Sequence, residues 1–206
     1  ELDRIDRQAA LEWRKRQNRF VMFSEPGVDS TDPATGLPRY TTGGLRWYSR
    51  LDNQFNMGGA LTLDALQHAL TQTVRYGGDG DKIILTGSTI FSLLIQMPWV
   101  MGLPQMQQTS GAFSLGFNDI REIFFPGGKA TVMLDRNMDT PGFEDEMIIF
   151  DPRYVGLCEF EPTSIQRNIQ ELGSGFDQWQ YTRVLGTECT LSQACGHVKG
   201  VLYVAP

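Results

Sequence analysis

Apolar positions at Leu2, Ile5, Ala9, Trp13 and Phe20 recur at spacings of three, four and seven, which predicts an amphipathic helix over residues 1 to about 20. The other faces carry Arg4, Arg7, Arg14, Lys15, Arg16 and Arg19 beside Glu1, Asp3, Asp6 and Glu12. The basic residues gather toward the C-terminal end, where the helix dipole favours them. Glu25-Pro26-Gly27 ends the element. At the other end of the chain, Trp179, Tyr181 and Arg183 share one parity, and Val198, Leu202 and Val204 alternate with His197, Lys199 and Tyr203. This period of two predicts two strands over 176–204. The residues Ser192 to Gly196 supply their tight connection, giving a terminal ladder that packs against the first helix.

Between these ends the pattern changes several times. Residues 28–59 are rich in turn chemistry, with Asp32-Pro33, Thr35-Gly36, Leu37-Pro38 and Gly43-Gly44. Leu45 to Leu51 reads as a short extended piece within this excursion. Thr62 is a candidate N-cap for a second helix with Leu63, Leu66, Leu70 and Val74 as its stripe, ended by Gly77-Gly78. Lys82 to Thr86 reads as a buried strand, and Ser88 or Thr89 caps a third helix that stops at Pro98. Strands are expected at 120–125 and 129–134 around a turn at Pro126-Gly127-Gly128, and again at 147–150. The acidic run from Asp135 to Glu146 reads as a solvated loop, and 158–175 as a return toward the terminal ladder.

Composition narrows the function classes. The chain has 206 residues, 41% of them hydrophobic, enough to bury a core. Its net charge of −6 argues against a broad nucleic-acid-binding surface. Three cysteines, Cys158, Cys189 and Cys195, do not form a disulfide framework and read as buried thiols. The chain begins at Glu1, already inside a helical pattern, which predicts that part of the natural polypeptide precedes it.

Candidate chemistry is sparse. Cys189, Cys195 and His197 have the spacing C-x5-C-x-H, which is not a zinc spacing. Cys195 and His197 would share a strand face, so a Cys/His enzyme stands as an alternative, with packing the reading preferred. Gly77 to Lys82 fails the ligand pattern of a calcium loop, and Gly87-Ser88-Thr89 is not a nucleophile elbow. No catalytic, cofactor or metal residues are assigned. From Ile83 to Asn118 there is no charged residue, but Pro98, Gly102, Pro104 and several Gln interrupt any membrane span. Met97, Trp99, Met101 and Met106 read either as the centre of a protein contact or as packing within the subunit. The basic helix face, with Arg4, Arg7, Arg14 and Arg16, reads chiefly as a solvated face. With the Met97–Met106 loop it makes up the candidate subunit interface.

The order of these segments resembles the major capsid (major head) proteins of tailed bacteriophages, of the phage HK ninety-seven type. The residues that carry the resemblance are Ala10 to Gly27, like the end of that family's spine helix, then GGLRWYSRL, ALTLDALQHALTQTVRYGG and the C-terminal section from Glu171. Within that section, Gly173 to Gly175, Gln178 to Leu185, Glu188 to Leu191 and His197 to Val204 match best. The resemblance implies that the segments which in that family precede the spine helix, an N-terminal arm and an extended loop, belong to a part of the natural polypeptide before Glu1.

The resemblance implies an α+β fold with a peripheral domain (residues 1–27 and 158–206) and an axial domain (28–157). It implies a non-enzymatic subunit of an icosahedral capsid, self-assembling through pentamers and hexamers around double-stranded DNA. Partners would be further copies of itself, with scaffold, portal or decoration proteins. The packaged DNA would be contacted weakly if at all, there would be no membrane and no cofactor, and the site would be the virion, assembled in the host cytoplasm. The shell protein of a protein-filled nanocompartment shares that fold and is the alternative.

Overall fold

The computed structural model describes residues 2–31, 36–75, 80–96, 121–167, 169 and 179–202. The chain divides into two compact units, residues 1–47 with 156–188, and residues 48–155 with 189–206.

In the first unit, helix α1 runs from Leu2 to Phe23. Its covered positions are Asp6, Ala9, Ala10, Trp13, Gln17, Val21 and Met22, a stripe at helical spacing. Ile5 and Phe20 lie outside that stripe and are exposed, so the expected stripe is rotated. The helix also runs a turn further than its charge pattern suggested, and its last turn carries no basic residue. Strand β1 (Gly27–Thr31) pairs antiparallel with β2 (Pro38–Thr41) in a small hairpin. The following loop crosses the end of α1, where the Gly44 N–H donates to the Ser24 carbonyl at 2.8 Å. Leu45–Leu51 is a helix, α2, and not the extended piece expected. Its Leu45 and Ser49, one turn apart, are buried, a helical period hidden within a short segment.

The rest of the first unit is a ribbon of β8 (Val155–Arg167) and β9 (Trp179–Cys189). The side-chain pairs Cys158–Glu188 and Ser164–Thr182 show that its strands run antiparallel. The expected pairing of the last two strands with each other is therefore corrected, because β9 pairs with the segment read as a mere return. Docking of the first helix on this ribbon is observed. The Trp13 and Tyr181 rings lie 5.6 Å apart, Arg183 donates to Gln17 at 3.4 Å, and Thr187 Oγ1 donates to the Val21 carbonyl at 3.5 Å.

The second unit is a mixed six-stranded sheet in the order β3-β10-β7-β4-β6-β5. Its strands are β3 (Gln54–Gly59), β4 (Lys82–Thr86), β5 (Arg121–Phe125), β6 (Gly128–Leu134), β7 (Met147–Phe150) and β10 (Gly196–Val201). Helices α3 (Leu63–Val74) and α4 (Ser88–Gln96) bury Leu66, Leu70, Ile90 and Leu94 in one core with Ile84, Ile123, Val132, Met147, Ile149 and Val198. The register makes these strand residues one face: Ile84 lies opposite Val132 and Ile149, and Met147 opposite Val198. Thr62 caps α3 by accepting from the Ala65 N–H, as its sequence predicts. The turn at Pro126-Gly127 also stands where expected, with Phe125 paired to Gly128. Strand β3 was missed because its residues, QFNMGG, carry little β-propensity and two glycines.

Two substitutions test the first unit. Trp13→Ala should cost about 2 kcal/mol in denaturant unfolding, less than for a fully buried ring because Trp13 is only partly covered. A side chain on Gly44 would place its Cβ 2.8 Å from the carbonyl oxygens of Val21 and Met22, which are backbone and cannot swing away. Gly44→Ala should therefore destabilise by about 1–3 kcal/mol in the same measurement.

Candidate assembly surface

On α1, Arg4, Arg7, Arg14 and Arg16 are all exposed, as are Lys15 and Arg19. Helical spacing sets this outcome, since the covered stripe at 6, 9, 10, 13, 17 and 21 leaves those positions on the far side. Lys15 pairs with Glu12 at 2.8 Å in an exposed i,i+3 contact, and its hydrogen bond holds the Glu12 carboxyl below its ordinary value. The other candidate residues, Met97, Trp99, Met101 and Met106, lie outside the described residues.

Sequence patterning missed the apolar surface on the ribbon and hairpin. One ribbon face, through Tyr181, Arg183 and Thr187, meets α1. By the alternation of strand side chains, Phe160 and Val184 stand on the opposite face with Cys158, Ser164 and Thr182. Phe160 is 88% exposed and Val184 49%. Leu157 and Ile165, on the other parity of β8, are exposed as well. On the hairpin, Val28 and Tyr40 are directly paired and both are exposed. Alternation along 155–165 was the available signal, but Pro162 and the two glutamates beside Phe160 obscured it.

The second unit buries its charge instead of displaying it. The side chains of Lys82 and Asp151 are fully buried and pair at 3.2 Å, and Lys82 Nζ also donates to the Ala194 carbonyl at 3.3 Å. Arg153 donates to Asp151 from its backbone N–H, Nε and NH2 group at 3.0, 3.1 and 2.8 Å. Burial pushes the Asp151 carboxyl up, but the hydrogen bonds from Arg153 and Lys82 outweigh it and hold it down at about 2. Burial pulls Lys82 below its ordinary value, and Asp151 opposes that shift. The sequence reading of Lys82 as a strand residue holds, but its buried cation was not foreseen.

The acidic run is corrected by the same kind of contact. Asp135 accepts from the Asn137 N–H at 2.9 Å, and Asp139 caps α4 by accepting from the Ser88 N–H at 2.6 Å and its Oγ at 2.9 Å. Asp145 accepts from the Gly200 N–H at 3.2 Å, and Glu146 meets His197 Nε2 at 3.0 Å, with both side chains buried. Asp135 thus caps the turn that follows it, while Asp139, Asp145 and Glu146 reach groups at Ser88, Gly200 and His197 far away in sequence, so the run is not a solvated loop.

Cys195 and His197 are not brought together as a pair. His197 turns to Glu146, while Cys195 Sγ lies 3.8 Å from Cys189 Sγ. Cys158 is exposed and donates to Glu188. Gln72 Nε2 lies 3.4 Å from His68 Nε2, and the Phe55 ring meets the His68 ring edge-on. Among the described residues no group of three or more His, Cys, Asp or Glu could hold a metal ion. Among them, too, no helix is long and apolar enough to cross a membrane.

The described residues thus form a mixed α+β fold that buries ion pairs in one unit and exposes apolar ribbon side chains in the other. The family model described as SU10 major capsid protein matches residues 1–202, and the chain belongs to that family. Among solved structures it is similar to a virus-like particle from Pyrococcus furiosus, at 16% identity and a TM-score of 0.47. That likeness covers 75% of this chain and 58% of the other, so the chain spans little more than half of that protein's length. No curated protein matches the sequence.

The buried ion pair sets an acid limit on stability. Asp151 has its carboxyl near 2 in the folded chain, against about 4 when unfolded. Its contribution, about 2 kcal/mol, is therefore present above about pH 4 and is lost as pH falls toward 2. Asp151→Asn should flatten the acid-unfolding curve in that window. Asp151→Ala should cost about 3–5 kcal/mol at neutral pH by leaving Lys82 unpaired, and Lys82→Met added to it should recover part of that loss.

Proposed function

We propose that this chain is the structural subunit of an icosahedral viral capsid, self-assembling through pentamers and hexamers to enclose double-stranded DNA. The family match over residues 1–202 carries this reading. On it, the unit of α1 and the β8–β9 ribbon serves as the peripheral domain, and the six-stranded unit as the axial domain. The contact surfaces between copies are the basic face of α1 with Arg4, Arg7, Arg14 and Arg16, and the uncharged stretch bearing Met97, Trp99, Met101 and Met106. The exposed apolar residues of the ribbon extend them.

Two features support an assembly role. Phe160 at 88% exposure, with Leu157, Ile165 and Val184 also exposed on the ribbon, is surface that association would cover. The basic side of α1 stands on a chain whose net charge is −6, so another copy offers an oppositely charged partner. The packaged DNA need not be gripped, since a wall of this charge contains the genome without binding it tightly. Scaffold, portal or decoration proteins are further partners, and the assembled product is the virion, built in the host cytoplasm.

Electron microscopy of the intact gene product expressed alone should show closed shells or their pentamers and hexamers, and a strictly monomeric chain would remove the reading. Particles from infected cells that hold protein cargo and no DNA would favour a nanocompartment. Phe160→Asp, Trp99→Asp and the pair Arg14→Glu with Arg16→Glu should each lower particle yield at least about tenfold. Phe160→Asp and the arginine pair, which change exposed side chains, should leave unfolding free energy within roughly 0.5 kcal/mol of the parent. Normal shells from all of them would move the contacts elsewhere.

A further inference from the structure

Cys189 ends β9, and Cys195 stands between a 3₁₀ turn at Ser192–Ala194 and the start of β10. Their sulfurs lie 3.8 Å apart, with Cys189 half-buried and Cys195 fully buried. We infer that Cys189 and Cys195 form a thiol–disulfide site, in which a small disulfide such as oxidised glutathione converts the pair to an internal disulfide that clamps the turn leading into β10.

The turn is already held in place from several sides. The Thr190 N–H donates to the Tyr154 carbonyl at 2.9 Å, and the Cys195 N–H to the Ser192 carbonyl at 2.9 Å. Ser192 Oγ donates to Asp52, and the Asn53 side-chain amide donates to the carbonyls of Gln193 and Cys195 at 2.7 and 2.8 Å. Lys82 Nζ donates to the Ala194 carbonyl at 3.3 Å. A disulfide needs sulfurs about 2.05 Å apart. The sulfurs at 3.8 Å are already close to that distance, and the bonds that hold the turn leave little chain entropy to oppose ring closure.

The two thiols are unequal. A hydrogen bond from Cys195 brings the Cys189 thiol down to about 7, against burial and the Asp52 charge, which push it up. The same bond, burial and the Cys189 charge push the Cys195 thiol up, while Lys82 opposes. Cys189 is therefore the accessible thiolate and Cys195 the resolving thiol. In the first step the Cys189 thiolate attacks one sulfur of oxidised glutathione, forming a mixed disulfide and expelling glutathione thiolate. In the second, Cys195 loses its proton to that thiolate and attacks Cys189 Sγ, expelling the second glutathione. The second glutathione thiolate takes from solvent the proton that Cys189 gave up on forming its thiolate, so the protein loses two protons and two electrons and one glutathione disulfide becomes two thiols.

The test uses the full chain carrying Cys158→Ser, which removes the exposed third thiol. With oxidised glutathione near pH 8, intact mass should fall by two hydrogen atoms, and peptide mapping should join 189 to 195. The thermal midpoint should rise by on the order of 5 °C and return with dithiothreitol. Adding Cys195→Ser should stop the reaction at a stable glutathione adduct on Cys189. A folded Cys158→Ser chain that stays fully reduced would overturn the inference, and so would one that accumulates the Cys189 adduct with Cys195 free. Because the readout is covalent and made on the unassembled chain, it is separate from whether shells form.

Discussion

The six-stranded unit depends on where its last strand is inserted. Strand β10 lies between β3, which it joins in parallel, and β7, which it joins antiparallel, so the sheet is incomplete until the end of the chain arrives. Apolar packing alone would not fix its position. Val198 faces the core, and a slip of two residues would keep every side chain on its proper face. The polar contacts distinguish the alternatives. Asn53 holds the carbonyls of Gln193 and Cys195, Glu146 meets His197, and Asp145 takes the N–H groups of Gly200 and Val201. Each is lost on a slip, leaving a buried polar group without its partner. The acidic segment and the buried histidine thus set register more than they add net stability.

The same reasoning explains what was legible in the sequence. Elements with strong local signals stood where expected: α1, α3 with its Thr62 cap, β4, the β5–β6 hairpin about Pro126-Gly127, and β7. Their periodicity or turn chemistry lies within a dozen residues. What could not be read was pairing across the chain. Strand β8 looked like a connection because Pro162, Glu159 and Glu161 break its alternation, and only its partner β9 makes it a strand. The terminal ladder was half right, since both strands exist but belong to different sheets. Lys82 looked like a strand boundary because its counter-ion, Asp151, is 69 residues away. The exposed arginines of α1 could be read from helical spacing, while Phe160 could not, since nothing local says which face of a ribbon stays uncovered.

The two units handle charge in opposite ways. In the six-stranded unit, Lys82, Asp151, Glu146 and His197 are buried and mutually bonded. Such pairs gain little net stability over apolar packing, but removing one partner is costly. A unit built this way resists local rearrangement, since moving the Asp151 segment away would leave the buried Lys82 cation without its counter-ion in a low-dielectric surrounding. In the unit of α1 and the ribbon, the charge is on the surface and the burial is shallow. Trp13 is only partly covered, and β8 is exposed along most of its length.

That shallow burial bears on how the proposed shell would be stabilised. A two-stranded ribbon is marginal in water unless a third layer covers it. Here α1 covers one face, through Trp13, Gln17 and Val21, and leaves Phe160 and Val184 on the other. Burying such side chains is worth about 1.5–3 kcal/mol each at full coverage. If neighbouring copies provide that cover, mass action ties the stability of this unit to subunit concentration. The described core of the six-stranded unit is packed within one chain, so that core does not rely on such cover. Loss of assembly would then loosen the ribbon first and leave the sheet around β10 intact, an asymmetry that follows from where each unit finds its buried surface.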